Sequence, residues 1–412
     1  MSKIKYESEK SGIANLSVFG GMKSFETALH VGSPNIGNRG KLNERVNDIL
    51  DRRWLSNGGR YVQEFEQRVA EFVGVKHCIA MCNATVALEI AIRSLGLQGE
   101  VIIPSFTFVA TAHALQWLGV TPVFCDIDPQ TYNIDSQKTE SLITSRTSAI
   151  MGVHVYGRPC DCDTLEHIAR KHDIKLIYDA AHAFGCSYKG RMIGNFGELE
   201  VFSFHATKFL NSLEGGAIVT NNEEVANRAR KMTNFGFANY DRVDDLGTNG
   251  KMNEVSAAMG LTNLESIDEL IAVNYQNYKQ YQNELDGVKG IRLVTFDETD
   301  KNNYQYLVLE VDQDAAGVSR DQLTKILHAE NVLVRRYFYP GCHRLEPYAS
   351  LFPDAGLLLP ETERITEKML CLPTGTGIQS VEIEKVCALI RFIIVHGAEI
   401  SQKMCLFQKD QS

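Results

Sequence analysis

Apolar positions in this chain alternate between two rhythms. Compact apolar runs read as buried strands, and apolar residues three or four apart read as helices. Leu42–Trp54 and Tyr61–Val73 predict helices, Cys78–Cys82 a strand, Thr85–Leu95 a helix, Val101–Ile103 a strand and Thr107–Leu118 a helix. Val123–Asp126 and Ala149–His154 predict strands, Asp163–His172 a helix, and Lys175–Tyr178 and Val201–Phe204 two more strands. This succession implies an α/β architecture with a mostly parallel sheet covered by helices. Asn253–Glu269 and Ile271–Leu285 predict long helices. Beyond Gly287 the rhythm changes. Ile291–Val294, Tyr304–Glu310 and Val332–Arg335 predict strands, and Ser319–Glu330 and Val381–Val395 helices, which makes a smaller α+β unit. The expected division is an N-terminal segment (1–40), a large domain (41–275), a small C-terminal domain (276–400) and a frayed tail (401–412).

Composition narrows the function. The 412 residues are 44% hydrophobic and 23% charged, which suits a globular protein with ample core. A net charge of -9 argues against nucleic acid as a partner but allows a local basic pocket. No apolar run reaches the roughly 18 residues of a membrane span, and Met1 to Gly21 carry no signal-peptide stretch. A cytoplasmic location without membrane contact is therefore expected. The ten cysteines are scattered, so reduced thiols are expected. Cys160-Asp161-Cys162, with His154 and His167 nearby, has metal-ligand residue types. No second cysteine pair stands at zinc-site spacing, so no metal is expected.

The chemistry concentrates in a few segments. Val201-Phe202-Ser203-Phe204-His205-Ala206-Thr207-Lys208 and Glu214-Gly215-Gly216-Ala217-Ile218-Val219-Thr220 place Lys208 between two strand-like runs. Lys208 is either a surface lysine or a desolvated one, whose lowered pKa makes it a nucleophile. Asp179 ends the run Ile174–Tyr178 and is either a helix cap or a ligand contact at a strand end. Asn83-Ala84-Thr85 opens a helix after a strand; it is a plain N-cap or a phosphate site, to which Ser203 adds a second hydroxyl. Phe108 is a core residue or a flat surface on which a heterocycle stacks. His182 is a satisfied half-buried histidine or a cofactor contact. An acid and a lysine on neighbouring strand ends are what pyridoxal phosphate requires.

Together these segments resemble the DegT/StrS sugar aminotransferases, which are fold-type-I pyridoxal phosphate enzymes. The likeness runs from about Trp54 to Thr374. It rests on Asn57-Gly58-Gly59, Pro104-Ser105-Phe106-Thr107-Phe108, Asp179-Ala180-Ala181-His182, Ser203-Phe204-His205-Ala206-Thr207-Lys208 and Cys371-Leu372-Pro373-Thr374. The resemblance implies that Lys208 is the Schiff-base lysine, Asp179 the partner of the pyridine nitrogen and Phe108 the stacking ring. It gives the phosphate to Ala84, Thr85 and Ser203, and places His182 near the ring. Asn249, before Lys251-Met252, would reach the phosphate of a neighbouring subunit, which implies a homodimer. Two departures stand out: Ala84-Thr85 replaces the usual Gly-Thr, and Lys251-Met252 replaces Arg-Met. Some relatives carry histidine in place of the lysine and dehydrate sugars, so Lys208 favours transamination, with L-glutamate as the implied donor.

The run Val334-Arg335-Arg336-Tyr337-Phe338-Tyr339-Pro340-Gly341-Cys342-His343 resembles the 4-aminotransferases of dTDP-4-keto-6-deoxyglucose. It is either a basic edge strand or a substrate segment in which Arg335, Arg336 and Tyr337 meet diphosphate or donor carboxylate. A 3-aminotransferase, a UDP-sugar enzyme and a sugar dehydratase remain alternatives.

Overall fold

Seven apolar segments pair into one sheet in the computed structural model, which describes residues 10–409. They are β1 (His77–Met81), β2 (Glu100–Pro104), β3 (Thr121–Cys125), β4 (Thr147–Val153), β5 (Lys175–Asp179), β6 (Leu199–Ser203) and β7 (Gly216–Thr220). Their spatial order is β1-β7-β6-β5-β4-β2-β3. β7 runs antiparallel to both neighbours; the other pairs are parallel. The strands are apolar on both faces because helices cover both. Successive residues go to opposite cores. Ile102, Leu176, Tyr178 and Phe202 face one layer, and Val101, Ile103, Ile177 and Val201 the other. Arg60–Val73, Cys162–Lys171 and Glu254–Leu264 cover the first face; Ala84–Ser94, Val109–Trp117 and Glu223–Thr233 cover the second.

The smaller unit has an antiparallel sheet of β8 (Ile291–Leu293), β9 (Leu307–Val311) and β10 (Met369–Leu372). Arg320–Ala329 and Ser380–Val395 pack Leu323, Ile326, Leu327, Val386 and Ile390 around it. The strand expected from Tyr304 begins at Leu307; Tyr304 stays in the small core, while Tyr306 packs in the aromatic cluster of Tyr156 and Phe338. Of Val332–Arg335, only Val332–Leu333 forms a strand, parallel to Leu29–His30, while Arg335 bridges Cys371.

The helix Ile267–Leu285 serves both units. Ile267 and Leu270 lie in the first core, and Tyr278, Tyr281 and Leu285 in the small one. Position 275 thus falls inside a continuous helix. The N-terminal segment docks on the small unit through Ile13, Leu16, Phe25 and Leu29. There the buried Glu330 carboxylate accepts from Ser17 N and Ser24 N at 2.7 and 2.8 Å and pairs with Lys10 at 2.9 Å. The tail from Ser401 requires a correction: it is not frayed but continues the helix Gly397–Lys409. Ile400 and Met404, one turn apart on one face, bury it against the small core. The outermost N-terminal segment (1–9) and tail (410–412) lie outside the described residues. Among the described residues no helix is long and apolar enough to cross a membrane.

Buried asparagines join the pieces around the loop that carries Lys208. Asn35 donates to Phe209 O at 2.9 Å and accepts from Thr376 N at 2.9 Å. Asn211 donates to Asn35 O, and Asn263 to Asn211 O, each at 2.8 Å. Asn303 donates to His182 O at 2.8 Å and Phe184 O at 3.0 Å and accepts from Gln305 N at 3.0 Å. An amide carries both donor and acceptor and so satisfies backbone groups on two segments at once. Asn303→Ala strands two buried carbonyls and one amide. It is expected to cost about 3 kcal/mol in urea unfolding, against under about 0.5 kcal/mol for Asn227→Ala on the surface.

Candidate functional site

The carboxyl edge of the sheet, where open α/β sheets bind ligands, gathers candidate residues far apart in sequence. Ala84 and Thr85 follow β1, Phe108 follows β2, Asp179 ends β5, Ser203 ends β6, and Lys208 lies five residues beyond. All six, with His182, line one cavity of about 990 Å³. Arg335, Arg336 and Tyr337 line the same cavity. Asn249 does not line it. It is exposed and bridges Asn234 beside the hairpin Phe237–Asn239/Arg242–Val243.

Asp179 is buried, and Lys208 is half-buried with its side chain lining the cavity. Desolvation lowers the Lys208 pKa from 10.5 to about 8, partly opposed by the Asp179 charge. Burial raises the Asp179 carboxyl above its ordinary range; the Thr111 hydroxyl, the Ala181 amide and the Lys208 charge oppose it. Thr111 Oγ1 donates to Asp179 Oδ2 at 2.8 Å, and Ala181 N to Oδ1 at 3.1 Å. No helix starts at Asp179, so the cap reading gives way to a turn that leaves the carboxylate facing the cavity. Thr107 and Thr111 hydroxyls are 2.8 Å apart, which extends the network. Thr107 lies before the N-cap Phe108 of the helix Val109–Trp117, so only the folded turn brings the two hydroxyls together.

His182 Nδ1 accepts from Tyr156 N at 3.2 Å, which assigns the ring proton to Nε2. Burial, aided by the Lys208 charge, drives its pKa well below 6.5, so the imidazole is neutral. Phe108 is 57% exposed and lines the cavity, which removes the core reading. Asn83 caps Ala84–Ser94 by accepting from Val86 N at 2.9 Å, so capping and cavity lining coexist at this turn. Ala84 is the first helical residue, with an ordinary backbone, and needs no glycine. Glycine is required opposite it: a Cβ on Gly216 would stand 2.5 Å from Ala84 N. Lys251 Nζ donates to Asn234 Oδ1 at 2.9 Å, away from the cavity.

Arg336 pairs with Asp321 at 3.0 Å, and Arg335 lies 5.9 Å from the Tyr337 ring centroid. Lys325 and His328, which the sequence reading did not single out, extend this basic wall. The region of Cys160 and Cys162 is structural. Cys160 N donates to His154 Nδ1 at 3.0 Å, and His154 Nε2 stands 3.3 Å from the buried Glu200 carboxylate. Among the described residues no group of three potential ligands could hold a metal.

These residues fit pyridoxal phosphate by donor chemistry. The Lys208 amine, with its lowered pKa, would meet the aldehyde, and the hydrogen-bonded Asp179 carboxylate would meet the ring nitrogen. An exposed aromatic lines the same wall. First-turn N–H groups without intrahelical partners, with the Thr85 and Ser203 hydroxyls, suit the phosphate.

Comparison with known proteins agrees. The model of the DegT/DnrJ/EryC1/StrS aminotransferase family matches residues 38–391. A dTDP-4-amino-4,6-dideoxy-D-glucose transaminase of Escherichia coli is 36% identical over 368 residues, 89% of this chain and 98% of that protein. A GDP-perosamine synthase of Caulobacter vibrioides is 36% identical over 360 residues, 86% of this chain and 96% of that one. The crystal structure of DesI in the presence of its TDP-sugar product superposes with a TM-score of 0.91 at 45% identity, covering 95% of this chain and 100% of that one. With this fold, this cavity and these relatives, the chain belongs to the DegT/DnrJ/EryC1/StrS aminotransferase family and is a pyridoxal phosphate-dependent aminotransferase of the α/β fold-type-I class.

Proposed function

We propose that the enzyme converts dTDP-4-keto-6-deoxy-D-glucose to dTDP-4-amino-4,6-dideoxy-D-glucose, with L-glutamate as amino donor. The observation that carries this reading is that one cavity is lined both by the Lys208 amine and Asp179 carboxylate and by the basic residues Lys325, Arg335 and Arg336. The E. coli relative, named for the same aminosugar, and the structure of DesI in the presence of its TDP-sugar product support it. The reading places the enzyme in the cytoplasm.

The bound cofactor supplies an aldehyde that accepts the amino group and a ring that takes up the electron pair of a broken C–H bond. The chain supplies the rest. Lys208 moves the proton. With its pKa near 8, its Nζ is present in both protonation states near neutral pH and can take a proton and return it. Asp179 holds the proton on the heterocycle nitrogen by its negative charge, and Thr111 and Ala181 hold the carboxylate in place. Neutral His182 adds no positive charge beside the amine. Arg336 is already paired with Asp321, so Arg335 is assigned the diphosphate. Tyr156, whose hydroxyl donates to Tyr337 O, and Phe338 pack beside the reacting end and keep water away.

We also propose a homodimer in which Asn249 reaches the partner's cofactor phosphate. Exposed Phe235, Phe237, Tyr240, Val243 and Leu246 surround Asn249 and form an apolar face of the kind that subunit contacts cover.

A panel of keto-sugar nucleotides offered with glutamate tests the substrate. The 4-keto dTDP sugar is expected to give the 4-amino product by mass and NMR, and Lys208→Ala is expected to abolish it; turnover by Lys208→Ala at the native rate defeats the scheme. Thr111→Val is expected to lower kcat by roughly tenfold to a hundredfold, because Asp179 loses a charge-assisted hydrogen bond of about 1.5–3 kcal/mol. Sedimentation of the purified protein is expected to give a dimer; a stable monomer that retains full activity refutes the shared site.

A further inference from the structure

One polar group at the centre of the site has no task in this scheme. Tyr306 precedes β9 of the small unit, yet its hydroxyl oxygen accepts from Lys208 Nζ at 3.2 Å. The amine also stands 5.7 Å from the Tyr306 ring centroid. Among the described residues no carboxylate hydrogen-bonds this amine; Asp179 acts on it through charge.

The position of the hydroxyl is firmly set. The ring packs against His182 at 4.3 Å, Tyr156 at 5.6 Å and Tyr337 at 5.8 Å between centroids. The adjoining Gln305 side chain accepts from Phe209 N at 3.3 Å, which ties the residue before Tyr306 to the residue after Lys208. Gln305 N donates to Asn303, whose amide holds the carbonyls of His182 and Phe184. A short closed circuit of hydrogen bonds therefore sets the distance between hydroxyl and amine.

We infer that Tyr306 is a further catalytic residue, whose hydroxyl receives the Lys208 amine whenever that amine is not covalently held and keeps the nitrogen in one place in both of its protonation states. The inference rests on the reading of Lys208 as the cofactor lysine. A carboxylate in this place would hold the lysine as ammonium, and an apolar side chain would leave it without a partner. A phenol suits both states: it accepts from the ammonium and can donate its own proton to the neutral amine. Desolvation pushes the Tyr306 pKa well above 10, so the group remains a neutral phenol. The other groups facing the amine are Asp179 from the end of β5, neutral His182 from the following turn, Tyr156 and Tyr337 from the aromatic wall, and His205 and Glu214 from the lysine's own loop.

The test is Tyr306→Phe, which keeps the ring and removes the acceptor. In the cofactor-free full-length protein, acetic anhydride labelling of Lys208 across pH, read by peptide mass spectrometry, reports the amine's midpoint. The wild-type midpoint is expected near 8. In Tyr306→Phe it is expected to fall by about half to one pH unit, since the ammonium loses its hydrogen-bond acceptor. Tyr304→Phe, altered two residues away in the small core, is expected to leave the midpoint in place. In the holoenzyme, kcat of Tyr306→Phe is expected to fall about tenfold with the KM for glutamate unchanged. A folded Tyr306→Phe with the wild-type midpoint and the wild-type kcat overturns the inference. Borohydride trapping of pyridoxal phosphate in the wild-type protein separates the two levels. Label on Lys208 with no effect of Tyr306→Phe sinks the inference alone; label on another residue sinks the reading beneath it.

Discussion

The site depends on the removal of one amine from water. Burial takes the Lys208 pKa from 10.5 to about 8, a difference of roughly 3 kcal/mol against the ammonium. An exposed lysine would be almost wholly protonated and inert at neutral pH. The same burial endangers Asp179, which must keep its charge without water. The fold answers with donors, the Thr111 hydroxyl and the Ala181 amide, and with the nearby lysine itself. Neither residue has its character alone, because each is part of the other's environment.

The surroundings of this electrostatic pair come from both units. Asp179 and Ser203 end neighbouring strands of the large sheet, but Tyr306, Tyr337 and the basic residues Lys325, Arg335 and Arg336 come from the region after residue 300. The helix Ile267–Leu285 runs through both cores, and buried asparagines connect its surroundings to the loop of Lys208. Side-chain amides suit such junctions. Irregular backbone from several segments meets there, and each buried amide or carbonyl left unpaired would cost free energy comparable to a lost hydrogen bond.

The basic lobe follows the same logic. Arg336 is restrained by Asp321, and both pack near Tyr339, which lies 4.5 Å from the Arg336 guanidinium. The neighbouring Arg335 projects from a backbone that bridges β10 through Cys371. One cavity thus combines aromatic surroundings at Lys208 with the charged groups of Lys325, Arg335 and Arg336.

The sequence by itself determined the alternation of strands and helices, the carboxyl-edge position of Asp179 and Lys208, and the helix start at Ala84. Apolar period and turn chemistry are local properties, readable within a dozen residues. It misread the C-terminal tail as frayed, because docking of Ile400 and Met404 depends on a core formed by distant segments. It passed over Tyr306 for the same reason: 98 residues separate it from Lys208, and nothing in Asn303-Tyr304-Gln305-Tyr306 marks a strand that stops short. Only the tertiary structure decided which hydroxyls meet which ionisable groups, since those contacts come from packing two cores against each other, and no local pattern encodes that distance.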